Sequence, residues 1–195
     1  MDPYETVDRI DAALTATAAV VSGIGEHQWE AGTPCPDWDV RALTNHLVGG
    51  LRIYTAELTG AEPGKAHEDD WLGADPAGEY ADAARRVRTA WRAPGAMDAV
   101  LHLSVGPVPA PMAAVIQLTE VVVHGLDLAV ATGQEERIDQ PQAAALLTLM
   151  EGMGVDAFRV PGVFGPPRTA PGDAPAHLRL LAFLGRDVRP AAAVG

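Results

Sequence analysis

Hydrophobic residues recur at helical spacing through most of the chain and predict an all-α fold. In the first segment they return every three or four residues, which is the spacing of one helix face: Val7, Ile10, Ala13, Leu14, Ala18 and Val21. The same spacing predicts further helices. We expect helices over residues 4–25, 40–58, 76–92, 112–132 and 141–158, and a short last helix over 176–184.

Proline, glycine and aspartate separate these helices. The segment TPCPDWD reads as a loop, in which Asp37 or Asp39 could cap the next helix. Residues 99–105 alternate in part, and GPVPAP after them requires a turn, so this region is either a small β-hairpin or an extended crossover. Gly133 is a typical helix terminator. The sequence therefore predicts an antiparallel four-helix bundle with a long crossover and a C-terminal helical appendage.

We assign residues 1–160 to this bundle and residues 161–195 to a Pro/Gly-rich segment whose short helix packs on it. A length of 195 residues suits one domain with its own hydrophobic core. The single cysteine, Cys35, excludes an intramolecular disulfide. We expect a cytoplasmic protein, because the N-terminus lacks the basic and apolar regions of a signal peptide and no long apolar run spans a membrane.

The charge of the chain excludes some partners. It carries 14 basic and 26 acidic residues, a net charge of −12. This argues against nonspecific binding to nucleic acid or to an anionic membrane, since both require a basic surface. One basic cluster is visible, and it reads as a solvated helix face, with contact to an anionic substrate as the alternative: Arg85, Arg86, Arg88 and Arg92.

The helix over 112–132 carries the most informative polar residues. Glu120 and His124 are four residues apart and so project from one helix face. Apolar residues surround them, which predicts a central, buried helix. A buried carboxylate needs a compensating partner, because desolvation penalises its charged form. A metal ion would compensate Glu120 and recruit His124, whereas an arginine such as Arg52 could pair with Glu120 instead.

A third ligand is expected from another apolar helix face. His46 lies among leucines on such a face of the helix over 40–58, and two histidines with one glutamate are a common set in catalytic zinc sites. His102, in the alternating segment, is a weaker fourth candidate. The remaining histidines lie at a break, in an acidic loop and in the short terminal helix: His27, His67 and His177. Cys35 lies between two prolines with no histidine nearby in sequence, so we interpret it as structural and not as a nucleophile.

Three segments carry a family resemblance: PCPDWDVRALTNHLVGG, LTEVVVHGLDLAVATG and LLAFLGRD. They resemble the mycothiol-dependent maleylpyruvate isomerase N-terminal domain family, in the DinB-like or YfiT-like superfamily of metal-binding four-helix bundles. The resemblance implies metal ligands at His46, Glu120 and His124, the same three residues. Asp127 keeps the family's acid, which we interpret as a packing or supporting residue, and Leu126 stands where the family commonly has tryptophan.

The resemblance also implies a chemistry. We expect one divalent metal ion, zinc with nickel as the alternative, whose open position accepts the sulfur of a low-molecular-weight thiol, namely mycothiol. Coordination deprotonates a thiol, and the thiolate can then attack a small-molecule electrophile. The expected activity is a thiol transferase or isomerase. The alternatives are a metal-dependent hydrolase using bound water and a non-catalytic metal-binding or sensor bundle. A homodimer would be compatible with the superfamily.

Overall fold

Six α-helices and one β-hairpin make up the fold. The computed structural model describes residues 3–36, 38–160 and 163–188. The elements are α1 Pro3–Ser22, α2 Val40–Thr59, α3 Pro76–Trp91, β1 Val100–Leu103, β2 Gly106–Pro109, α4 Ala110–Thr132, α5 Gln140–Met153 and α6 Ala176–Phe183. Short 3₁₀ turns follow α1, α3, α4 and α5. The predicted helical class, with a small hairpin and a C-terminal helix, is confirmed.

The helix α4 is the centre of the molecule. It packs against α1 on one side and α2 on another, α3 packs against α1 and α2, and α6 packs against α4 and α5. By length and composition alone, α4 could cross a membrane, with a mean hydropathy of 1.5, but 78% of that stretch is buried inside the fold. The mostly buried core helix of a folded bundle shows the same length and hydropathy.

Local caps fix where the helices that carry the site begin and end. Oδ1 of Asp39 accepts a hydrogen bond from the Ala42 amide at 2.7 Å, which satisfies a free N–H at the start of α2. Asp39 is therefore the cap, and Asp37 lies outside the described residues. Gly60 ends α2 and Gly133 ends α4, both with φ of 69°, in the left-handed region that favours glycine.

Three predictions of local structure are wrong, and one is the end of the first helix, which lies at Ser22 and not at residue 25. Gly106–Pro109, read as the turn, forms the second strand of the hairpin, and Leu103 pairs with Gly106. A two-stranded sheet tolerates these prolines because both strands are edges. The fifth helix ends at Met153 and not at residue 158, because Gly154 adopts φ of 69° and a 3₁₀ turn, Val155–Phe158, follows.

The arginine cluster on α3 is neutralised by acidic partners. The ion pairs are Arg85–Asp82, Arg86–Asp82, Arg88–Asp11 and Arg92–Asp8. Three of the four arginine side chains are more than half exposed to solvent. The cluster is therefore an ion-paired surface that joins α1 to α3, and it does not form a free anion site.

The C-terminal segment lies across the bundle and packs closely against itself. The Gly165 amide donates to the carbonyl of Leu184, and the Arg168 amide donates to that of Ala182 at 2.8 Å. An ideal Cβ at Gly185 would lie 2.6 Å from Cα of Gly165, so this crossing requires a glycine. The crossing places the next residue, Arg186, in the interior, where it is 7% exposed.

Candidate metal centre

Side chains from α2 and α4 converge at one point between the two helices. Nε2 of His46 lies 3.1 Å from Oε2 of Glu120, and Nε2 of His124 lies 3.3 Å from the same oxygen. The two imidazole rings are 5.2 Å apart and nearly perpendicular. The candidate ligand atoms of all three residues lie within 4.8 Å of one another. The structure thus brings together the three residues that the sequence singled out.

The packing of α4 on α1 sets the direction of His124. An ideal Cβ at Gly125 would collide with Oγ1 of Thr17 on α1, so only glycine allows this approach. The hydroxyl of Thr17 donates to the carbonyl of Val121 at 3.3 Å and holds the two helices together. Because α1 occupies this side of α4, the faces that carry Glu120 and His124 are turned toward α2.

The three candidate ligands are not equally buried, which corrects the sequence expectation. The His124 side chain is 7% exposed and that of His46 is 24% exposed, but the Glu120 side chain is 42% exposed. Burial alone therefore does not force Glu120 to take a metal. The alternative partner, Arg52, is also not in contact with it, since Arg52 pairs with Glu79 and Asp82 at 2.8 and 2.7 Å.

The two histidines and Glu120 strongly affect one another's protonation. Partial burial would raise the pKa of Glu120, but hydrogen bonds with His124 and His46 hold that pKa well below its ordinary value. Burial would lower the pKa of His124, but Asp127 and Glu120 raise it to about 9. Burial lowers the pKa of His46, and the neighbouring His124 adds to this effect, while the hydrogen bond to Glu120 opposes it. A bound cation would displace the His124 proton, since only neutral imidazole binds metal.

Asp127 holds His124 from behind. Its Oδ2 lies 3.2 Å from Nδ1 of His124, and its side chain is fully buried. Nη2 of Arg186 approaches the same oxygen at 3.4 Å. A carboxylate on the outer nitrogen of a histidine fixes the ring orientation and the tautomer of a metal ligand. Asp127 thus directs Nε2 of His124 toward Glu120.

Two aromatic residues that the sequence did not single out flank His46. The Trp38 ring stacks on the imidazole at 4.4 Å, and the His67 ring lies 4.8 Å from it. His67 Nε2 also lies 3.1 Å from the His46 carbonyl oxygen. The only advance signal for Trp38 was its place inside the family motif. His67 gave none, because it belongs to the loop after α2.

Cys35, which the sequence does not connect with any histidine, lies beside this centre. Its Sγ is within 4.8 Å of ligating atoms of His124 and Asp127. The sequence could not show this, because the loop reaches α4 only in the folded chain. The other candidate, His102, is elsewhere: its side chain is 74% exposed and lies near Glu57.

The two remaining histidines are also outside the cluster. His27 is exposed in a 3₁₀ turn after α1. His177 is buried at the start of α6, where its Nε2 lies 2.9 Å from Oε1 of Glu135 and its Nδ1 lies 2.8 Å from Nε2 of Gln140. His177 is therefore a satisfied core histidine and joins α6 to α5.

Comparison with known proteins places the chain in a family. Residues 10–129 match the sequence model of the mycothiol maleylpyruvate isomerase N-terminal domain. Uncharacterized proteins from two strains of Mycobacterium tuberculosis are each 33% identical over 191 residues, which cover 97% of this chain and 100% of the relative.

A solved structure shares the fold. The crystal structure of the mycothiol-dependent maleylpyruvate isomerase aligns with a TM-score of 0.55 at 18% identity. The alignment covers 76% of this chain and 70% of that chain. This level of identity shows a common fold alone, whereas the match over residues 10–129 establishes the relationship. The chain belongs to the mycothiol maleylpyruvate isomerase N-terminal domain family.

Proposed function

We propose that this chain binds one divalent metal ion through His46, Glu120 and His124 and uses it to activate a low-molecular-weight thiol. Zinc is the expected ion and nickel the alternative. The expected thiol is mycothiol, and the thiol acts on a small-molecule electrophile, so the protein is a thiol transferase or isomerase. The observation that supports the proposal is the convergence of two imidazole nitrogens and one carboxylate oxygen within 4.8 Å.

The donor set fits a catalytic zinc-type site. Two histidines and one glutamate supply three ligands and leave a fourth position for a small molecule. The exposed side of Glu120, at 42%, would leave the centre accessible to that molecule. Asp127 supplies the supporting carboxylate that such histidines usually have. Family membership favours a thiol over water as that molecule, because the solved structure that shares this fold is described as mycothiol-dependent.

A divalent ion in this position would supply Lewis acidity and lower the pKa of a bound thiol, so that the thiolate forms at neutral pH. The residues of the chain have separate parts in this arrangement. His46, Glu120 and His124 would hold the ion. Asp127 keeps the His124 ring in place, and Trp38 covers one face of His46 and limits water there.

Metal content is the first test. Plasma mass spectrometry on protein without a histidine tag should find about one equivalent of metal in the parent chain. His124→Ala should lose nearly all of it. The matched control is His27→Ala, because His27 is exposed and outside the cluster. Metal loss in both variants, or in neither, would contradict the proposed ligand set.

Thiol use is the second test. Calorimetry on the zinc-loaded chain should detect mycothiol but not S-methylmycothiol, and His124→Ala should bind neither. Electrophiles such as maleylpyruvate should then be converted only when mycothiol is present. Conversion of an ester or amide without thiol would support the hydrolase alternative. Metal binding without thiol binding or turnover would support a non-catalytic role.

A further inference from the structure

A second group of potential ligands shares His124 with the candidate metal centre. Sγ of Cys35, a ring nitrogen of His124 and a carboxylate oxygen of Asp127 lie within 4.8 Å of one another. Asp127 lies 3.2 Å from Nδ1 of His124, whereas Glu120 lies 3.3 Å from Nε2. The carboxylates of the two groups therefore contact different nitrogens of one histidine.

The backbone around Cys35 is firmly held. Pro34 and Pro36 flank it, and each proline restricts its own φ to a narrow range. The Thr33 hydroxyl donates to the Cys35 carbonyl at 2.9 Å and accepts from the Cys35 amide at 3.2 Å. The Trp38 amide donates to the same carbonyl at 3.1 Å. The thiol is thus placed beside α4 by a fixed loop, and its partial exposure gives an ion a route from solvent.

Asp127 provides independent support for a bound cation, because one of its buried oxygens lacks a partner among the described residues. Its side chain is fully buried, and His124 and Arg186 both approach Oδ2. The other oxygen, Oδ1, is buried and has no hydrogen-bond partner among the described residues. A buried carboxylate oxygen without a partner is costly, and such atoms often mark the place of a water or an ion.

We propose that Cys35, His124 and Asp127 form a second, thiolate-containing metal position that takes one soft or borderline divalent cation of the zinc or cadmium type. Thiolate and imidazole ligands select such cations over magnesium or calcium. On binding, the Cys35 thiol releases its proton to solvent and one metal–sulfur bond forms. Arg186 competes for the Asp127 carboxylate, so this position is the weaker of the two.

The two positions exclude each other. A neutral imidazole has one nitrogen that can accept a metal, and the other carries a proton. His124 can therefore serve either Glu120 and His46 or Cys35 and Asp127, and each chain binds one ion at a time. An ion held by Cys35 is withdrawn from Glu120. The inference needs only His124 and its two neighbours, so it stands whether or not the chain acts on mycothiol.

Cobalt spectroscopy on the 195-residue chain tests the proposal. Co²⁺ bound by a thiolate gives an intense near-ultraviolet charge-transfer band, which nitrogen and oxygen ligands do not give. His46→Ala should show this band more strongly than the parent, because it disables the competing position. Cys35→Ser should lose the band while keeping the weaker visible bands of the first position. Asp127→Asn should weaken thiolate-bound cobalt about 10-fold or more.

The reactivity of the single thiol gives a second readout. Zn²⁺ should slow the reaction of Cys35 with a disulfide reagent in the His46→Ala variant and leave the rate unchanged in His124→Ala. Cobalt that binds His46→Ala without a charge-transfer band, or a thiol that zinc never protects, overturns the second position. Those results would not affect the position formed by His46, Glu120 and His124. Loss of the visible cobalt bands in Cys35→Ser would instead contradict that position, because Cys35 is not one of its ligands.

Discussion

Arg186 approaches Asp127 inside the protein, with Nη2 3.4 Å from Oδ2, and the same oxygen lies 3.2 Å from Nδ1 of His124. The Arg186 and Asp127 side chains are 8% and 0% exposed. This pair connects the C-terminal segment to the candidate metal centre. The last described residues of the chain thus help to determine where the His124 ring points.

Asp127→Asn should weaken metal binding about 10- to 100-fold, because it removes the charge that orients and strengthens His124 as a ligand. Arg186→Leu leaves the buried Asp127 carboxylate with His124 as its remaining partner, so the free energy of unfolding should fall by about 2 kcal/mol, less than for a fully unpaired buried charge. Metal titration and urea denaturation measure the two effects. Arg9→Leu is the control: its ion pair with Glu5 is partly exposed and should contribute about 1 kcal/mol or less. Equal losses in the two arginine variants would contradict the buried pair.

Two neighbouring glycines on α2 should respond in opposite ways to alanine. An ideal Cβ at Gly49 would lie 2.7 Å from Cδ2 of His67 and 2.8 Å from its carbonyl oxygen. Gly49→Ala should therefore push the loop away from His46 and lower the free energy of unfolding by about 1–3 kcal/mol. At Gly50 the nearest atom is 3.7 Å away, an ordinary contact. Gly50→Ala should raise the free energy of unfolding by about 0.5–1 kcal/mol through helix propensity. Thermal denaturation of both variants would show whether the loop is packed this closely.

Tyr54→Phe should leave stability unchanged or raise it slightly. The Tyr54 hydroxyl is buried without a hydrogen-bond partner among the described residues, and burial raises its pKa. Removing an unsatisfied buried hydroxyl costs nothing in hydrogen bonds, so the gain should be at most about 1 kcal/mol. Trp91→Phe is the contrast, since Nε1 of Trp91 donates to Oε1 of Gln117 and its loss leaves that oxygen unpaired. A loss of more than about 1 kcal/mol in Tyr54→Phe would show that the hydroxyl has a partner.

The stability contributed by Asp82 should depend on pH. A hydrogen bond from Arg86, helped by those from Arg52 and Arg85, lowers the pKa of Asp82 to about 2 against the opposing effect of burial. A lowered folded-state pKa adds stability above the unfolded value, about 3.9, and this stability is lost as pH falls toward 2. Asp82→Asn should thus lower the free energy of unfolding by about 1 kcal/mol at pH 7, allowing for solvent screening, and by almost nothing near pH 2.

Urea denaturation of parent and variant at both pH values measures this difference. Asp173→Asn is the matched control, because Asp173 is exposed and has no ion pair among the described residues. A deficit that stays constant from pH 7 to pH 2 would mean that Asp82 acts through packing and not through its charge.

The helices could be predicted because their signals are local. Apolar spacing defines the buried faces, and caps such as Asp39 and Gly133 fix the ends. The errors also have local causes. The prolines of Gly106–Pro109 favour a turn in the sequence. They are tolerated in a strand because both strands of an isolated hairpin are edge strands, which the sequence does not show. Gly154 was not read as a helix end, because apolar residues continue after it.

The sequence predicts the three candidate metal ligands but not the loop residues around them. Helical spacing placed Glu120 beside His124, and an apolar face together with the family motif pointed to His46. The apolar residues next to Glu120 in sequence predict a more buried side chain than the structure shows. They report the burial of α4 as a whole and not the exposure of one carboxylate. Contacts made by loops, such as those of Trp38 and Cys35, depend on where the loop lies in the folded chain.

The contact between His46 and Glu120 joins residues separated by 74 positions in the chain. In the unfolded chain these two residues are far apart on average, so the group of His46, Glu120 and His124 forms only on folding. Any cation with affinity for it adds RT ln(1 + [ion]/Kd) to the folding equilibrium, about 2.7 kcal/mol at a hundred times Kd. An ion bound there would raise the melting temperature of this protein as its free concentration rises, and a chelator would reverse that rise.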